Sequence, residues 1–177
     1  MAWQDELLAF WFALRKEQWW KADPALDAEI RERFHDVWER ERERVPEDFL
    51  GSGRDALAGV ILFDQVPRNI FRGHADQFST DPLALAIARE TVERGLDDAL
   101  APQERGFLYM PFQHSESLAA QQRSVALFTA LGDAEQLGYA VKHRDLIARF
   151  GRFPHRNPIL GRRPRADEIA AGGPVPR

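Results

Sequence analysis

Two short segments hold most of the groups in this chain that could do chemistry: Asp64-Gln65-Val66-Pro67-Arg68-Asn69-Ile70-Phe71-Arg72 and Arg149-Phe150-Gly151-Arg152-Phe153-Pro154-His155-Arg156-Asn157-Pro158-Ile159. Each follows an apolar run and sets arginines and an Asn, with either a carboxylate or a His, among aromatic and proline residues. Burying such groups is unfavourable unless they pair with each other or with a ligand. The pattern marks a pocket whose arginines would grip an anion. The candidate ligand-binding groups are Asp64, Arg68, Asn69 and Arg72 in the first segment and Arg152, Arg156 and Asn157 in the second. Asp64 falls at a helix C-terminus, whose partial negative charge disfavours a carboxylate by roughly 0.3–1 kcal/mol, so Arg68 or Arg72 must answer it. The same groups could simply satisfy the carbonyls and carboxylate of a buried helix end, and both readings stay open.

Imidazoles supply the proton chemistry. In His114-Ser115-Glu116 a ring that titrates near neutrality stands beside a carboxylate that can tune it. If Ser115 caps the next helix, Glu116 has the blander role of favouring that helix's dipole. His155 lies in a turn between Phe153 and Pro158, the kind of position where functional side chains concentrate. His114, Glu116 and His155 are therefore the candidate catalytic residues, the imidazole being oriented by Glu116 or Asp64. His143, on the apolar side of a helix, reads as a hydrogen-bonded core residue, with a site role left open.

His114, Glu116 and a further His have the composition of a two-His, one-carboxylate metal site but not its spacing, so no metal is expected. There is no nucleophile elbow and no Gly-rich phosphate loop, and no cofactor is expected. If the protein is an enzyme, the remaining class is metal-free acid–base chemistry, a hydrolase or lyase acting on a small anionic substrate.

The net charge of −4 argues against a protein that coats nucleic acid. It conceals a basic stretch: between Lys142 and Arg165 eight basic residues face one acid, Asp145. Such a field draws an anion or the chain's own acidic face. A small anionic molecule is the first expected partner, a protein segment held on a helical scaffold the second, and RNA stacked on aromatic residues of the basic stretch the third. With no cysteine in the chain, disulfides and thiolate chemistry are excluded. Asp5 and Glu6 stand where a signal peptide carries basic residues, and no apolar run approaches the ~18 residues of a membrane span. A cytoplasmic protein without membrane contact is expected.

These groups must be positioned by helices. Apolar residues recur at helical spacing from Trp3 to Leu14, from Leu26 to Trp38 behind Asp23-Pro24, and from Ala56 to Phe63 behind Ser52. Further runs follow Asp81-Pro82, Pro102, Ser115 and Asp133, the last ending at Gly151. Pro67 and Pro111 read as helix stops. About seven helices and no strand pattern give an all-α fold of stacked antiparallel pairs. One domain spans 1–165, and 166–177 reads as a disordered tail.

Several long motifs in order resemble a known bacterial family: Leu8-Ala9-Phe10-Trp11-Phe12, Trp19-Trp20, Asp64 to Arg72, Phe107 to Glu116, Gln121 to Phe128, and Arg149 to Asn157. The chain is similar from about Leu8 to Gly161 to the domain-of-unknown-function family nine-two-four. It departs at Val66, where the family favours Phe, at Gln113, where Glu is common, and at Arg163-Pro164-Arg165, which replaces a Thr/Ser-rich start of a final helix. The resemblance implies an all-helical, tetratricopeptide-like fold. It implies no activity, so the candidate residues rest on their own chemistry.

Overall fold

Asp23, Ser52 and Asp133 each place a side-chain oxygen on N–H groups that a helix start leaves unbonded. Asp23 accepts from Ala25 and Leu26, Ser52 from Asp55, and Asp133 from Gln136. Each cap is worth about 1 kcal/mol. In the computed structural model, which describes residues 2–172, the helices are α1 (Trp3–Ala13), α2 (Lys16–Trp20), α3 (Pro24–Glu41), α4 (Gly53–Val60), α5 (Val66–Ile70), α6 (Asp81–Glu93), α7 (Pro102–His114), α8 (Leu118–Leu131), α9 (Ala134–Phe150) and α10 (Ala166–Ala170). No strand occurs among the described residues, so the all-α expectation holds. None of these helices is long and apolar enough to cross a membrane.

The core is built around α4, which packs on α1, α6 and α7, while α6, α7, α8 and α9 pack in succession. Every residue from Ala56 to Pro67 is buried. Gly59 allows the close approach this needs, since a Cβ there would lie 3.1 Å from the Phe49 ring. Trp11, Phe34, Trp38 and Phe63 fill the interior.

Neither expected proline stop ends its helix cleanly. Pro111 is buried inside α7, which runs on to His114, and α8 is capped by Ser117 instead of Ser115. Before Pro67, α4 widens into a π-helical turn over Ile61–Gln65 and passes directly into α5. Pro67 has no N–H for the Phe63 carbonyl four residues earlier. The Thr80 hydroxyl donates to that carbonyl at 2.7 Å and in turn accepts from the Trp38 indole. Arg68 donates to the Asp64 carbonyl, and Asn69 to the Gln65 carbonyl at 2.9 Å. Side chains thus replace the interrupted backbone ladder, and Asp64 is left with no exposed surface and its carboxylate against α7.

The C-terminal reading needs correction. Residues 166–170 form α10 where a disordered tail is expected, because Glu168 is buried and accepts from Arg152, Asn157 and the Arg165 N–H. Residues 173–177 of the expected tail lie outside the described residues. The cap of α6 is likewise reassigned: Thr80 precedes the helix, and Asp81 opens it with its carboxylate turned to Arg68.

Candidate functional site

A cavity of about 460 Å³ opens where α2, α5, the C-terminal end of α7, α9 and the 153–159 segment converge. It brings together Arg68, Asn69, Arg72, His114, His155 and Arg156 of the sequence candidates. His143 is there as well, along with Trp19, Phe78 and Phe153.

The π-helical turn decides the chemistry at His114. It aims Asp64 at the ring, so that His114 Nδ1 lies 2.8 Å from Oδ1 and 3.0 Å from Oδ2. Nδ1 therefore carries the proton and donates it, and Nε2, which makes no hydrogen bond among the described residues, is the acceptor nitrogen. Gln65 Nε2 also donates to Asp64, at 2.6 Å. Burial pushes the Asp64 carboxyl up, but Arg68, His114 and Gln65 together pull it well below the usual carboxylate range. Asp64 is thus a fixed anion behind an imidazole, the arrangement that sets a ring's tautomer and stabilises its protonated form.

The arginines differ in what they have left to offer. Arg68 is held in a two-pronged pair by Asp81 at 2.7 and 2.9 Å, and Arg72 by Asp27 at 2.7 and 2.8 Å. Arg156 is only 8% exposed, and its ion pair is looser than those of Arg68 and Arg72. Its Nη2 donates to the His114 carbonyl, its Nη1 stands 3.6 Å from Asp81, and its Nε makes no hydrogen bond among the described residues. The rings of Phe78 and Phe153 lie 4.4 and 4.6 Å from its guanidinium carbon. Burial first, and then the charge of Arg68, push its pKa down to about 10, so it is a cation at neutral pH in surroundings that disfavour it.

His143, read as core, is half-buried and lines the cavity, with Nδ1 2.9 Å from the Tyr139 carbonyl. Burial, followed by His114, His155 and Arg156, pushes its pKa down to about 4.

Glu116, Arg152 and Asn157 do not line the cavity; they brace its wall. Glu116 is paired with Arg162 at 2.8 and 3.0 Å and accepts from the Phe153 N–H at 2.7 Å. Asn157 links Arg162 to Glu168, and Arg152 takes both oxygens of Glu168. The expected pairing of His114 is therefore with Asp64, across 50 residues, and not with its neighbour Glu116. Sequence reasoning missed Asp81 and Asp27, because a carboxylate near a helix start reads first as a cap or dipole partner.

A model of bacterial proteins of unknown function, DUF924, matches residues 7–171. The chain belongs to this family. The match includes α10, in keeping with the structured C-terminal segment. DUF924 membership extends to three dimensions: a protein of unknown function from Agrobacterium tumefaciens, ATU0120, is 40% identical over 96% of each chain, with a TM-score of 0.90. No curated protein matches the chain.

Proposed function

We propose that this DUF924 protein binds a small anionic molecule in the 460 Å³ cavity and moves a proton on it through His114. The observation that carries the reading is the Asp64–His114 pair, whose imidazole lines the same cavity as the partly unsatisfied cation Arg156. Arg156 would hold the anion, which removes the strain of its own burial. His114 Nε2 would accept a proton from water or from a carbon next to the acid group, Asp64 stabilising the imidazolium, and would return it to the leaving group. This is metal-free hydrolysis or elimination, set in the cytoplasm.

A second reading, a tetratricopeptide-like interaction scaffold, draws support from the pairing of Arg68, Arg72 and Arg152 with carboxylates. It gives no role to Arg156 Nε or His114 Nε2. RNA binding is weakened by the internal pairs Arg144–Asp145, Arg152–Glu168 and Arg162–Glu116, which neutralise part of the basic stretch.

A thermal-shift screen against carboxylated and phosphorylated metabolites tests the proposal, because a ligand bound only by the folded form raises the melting temperature. At least one anion should stabilise the wild type and fail to stabilise Arg156→Gln. The reading is wrong if no anion does so, or if folded Arg156→Gln and His114→Ala proteins respond as the wild type does.

A further inference from the structure

The candidate cavity has a neighbour. A second cavity of about 450 Å³ lies on the other side of α2, and Trp19, Trp20 and Met110 line both. Trp20, Phe107, Met110 and Leu131 give it an apolar side that Gly106 joins, Gln103, Asp133 and Gln136 line it as well, and Lys16 and Glu135 pair at 2.8 Å with both side chains largely exposed. Trp20 lies parallel to Phe107 with ring centroids 6.0 Å apart, yet half of its surface is exposed.

Gly106 is the decisive residue. It sits inside α7, where glycine costs about 1 kcal/mol relative to alanine, and its backbone angles are not of the kind that require glycine. Nor does close packing require it: a Cβ there would meet no atom within 4 Å, although the residue is buried. Gly59 contrasts with it, since its Cβ would press on Phe49. The absent side chain at Gly106 opens space into the second cavity and nothing in the fold fills it.

Resting on the anion-binding reading above, we infer that the ligand is an elongated, amphipathic organic acid: its acid group lies by Arg156 and His114, and its apolar tail passes Met110 and Trp20 into the cavity floored by Gly106. Met110, unbranched and adaptable, and the exposed Trp20 are side chains suited to letting a chain pass between the two spaces. A carboxylate or a phosphate monoester would serve as head group, since the guanidinium fork suits both.

Calorimetric titration of straight-chain alkanoates from acetate to dodecanoate, and of the matching alkyl phosphates, into wild type, Arg156→Gln and Gly106→Leu tests this. For the wild type, affinity should rise up to about fourfold per methylene over the stretch that enters the second cavity. Gly106→Leu should weaken the long acids at least tenfold and leave the short ones unchanged; Arg156→Gln should weaken all of them. Gly106→Ala, which adds a helix-favouring methyl into open space, guards against misfolding and should melt at or above the wild-type temperature. In addition, 12-bromododecanoate should quench wild-type tryptophan fluorescence, and less so in Trp20→Phe. Flat chain-length dependence, or equal long-acid binding by Gly106→Leu, overturns the tail site while Arg156-dependent binding of short acids upholds the anion reading. Failure of every acid to bind in an Arg156-dependent way overturns both.

Discussion

The two Pro/Arg/Asn turns look alike as sequence and do different work in the fold. In the first, Arg68 and Asn69 bond back to carbonyls of their own interrupted helix, and Asp64 is turned inward onto His114. In the second, Arg152 and Asn157 reach out to Glu168 of α10, while His155 and Arg156 line the cavity beside the apolar Phe153 and Ile159. The first turn supplies the carboxylate of the Asp64–His114 pair; the second lines the cavity with His155 and one cation, Arg156. What separates them is where the nearest carboxylates lie. Asp81 and Asp27 hold Arg68 and Arg72, and Glu168 holds Arg152, each in a close two-pronged pair, whereas Arg156 has a looser ion pair, its Nη1 3.6 Å from Asp81.

The contrast breaks most severely at Asp64. Asp64→Ala leaves His114 Nδ1, Gln65 and Arg68 facing a buried void, and should lower unfolding free energy by about 3–5 kcal/mol in urea denaturation. Asp64→Asn, which keeps the shape, should cost less.

Next in size is a pH effect from His143. Its folded pKa of about 4 lies below the ordinary 6.5, so the unfolded chain takes up the proton first as pH falls. Stability is full above pH 6.5 and declines toward pH 4, by about 2–3 kcal/mol. His143→Gln should flatten that part of the melting curve against pH, and an unchanged slope would remove His143 as the cause.

Glu168→Gln addresses the wall alone. It should raise amide exchange in residues 166–172 and lower the melting temperature modestly, while anion binding changes less than threefold. Since Arg152 holds the Glu168 carboxyl down at about 2 from an ordinary 4.5, the same loosening should appear in the wild type as pH falls through that window. The smallest effect belongs to Asn69→Ala, which removes one hydrogen bond to the Gln65 carbonyl and should cost about 1 kcal/mol.

Much of this was legible beforehand. Asp23, Ser52 and Asp133 cap as their spacing implies, Gly151 ends α9 in the left-handed conformation, and the apolar stripes fill the core. Local rules failed where tertiary partners override them. Pro67 is tolerated because the Thr80 hydroxyl takes the Phe63 carbonyl it leaves unbonded, and Pro111 lies buried inside a helix that continues past it. α10 forms because Glu168 finds Arg152 sixteen residues away. Which arginine keeps unsatisfied donors depends on distant carboxylates that no spacing rule reveals.

The central claim is that Asp64 fixes the ring of His114 with Nε2 turned to the cavity. Long-range ¹⁵N–¹H imidazole NMR, with His114 assigned by the signal lost in His114→Gln, measures it directly. The account predicts that neutral His114 is protonated at Nδ1 and that Asp64→Asn abolishes this preference. A neutral ring protonated at Nε2, or one indifferent to Asp64→Asn, would contradict it.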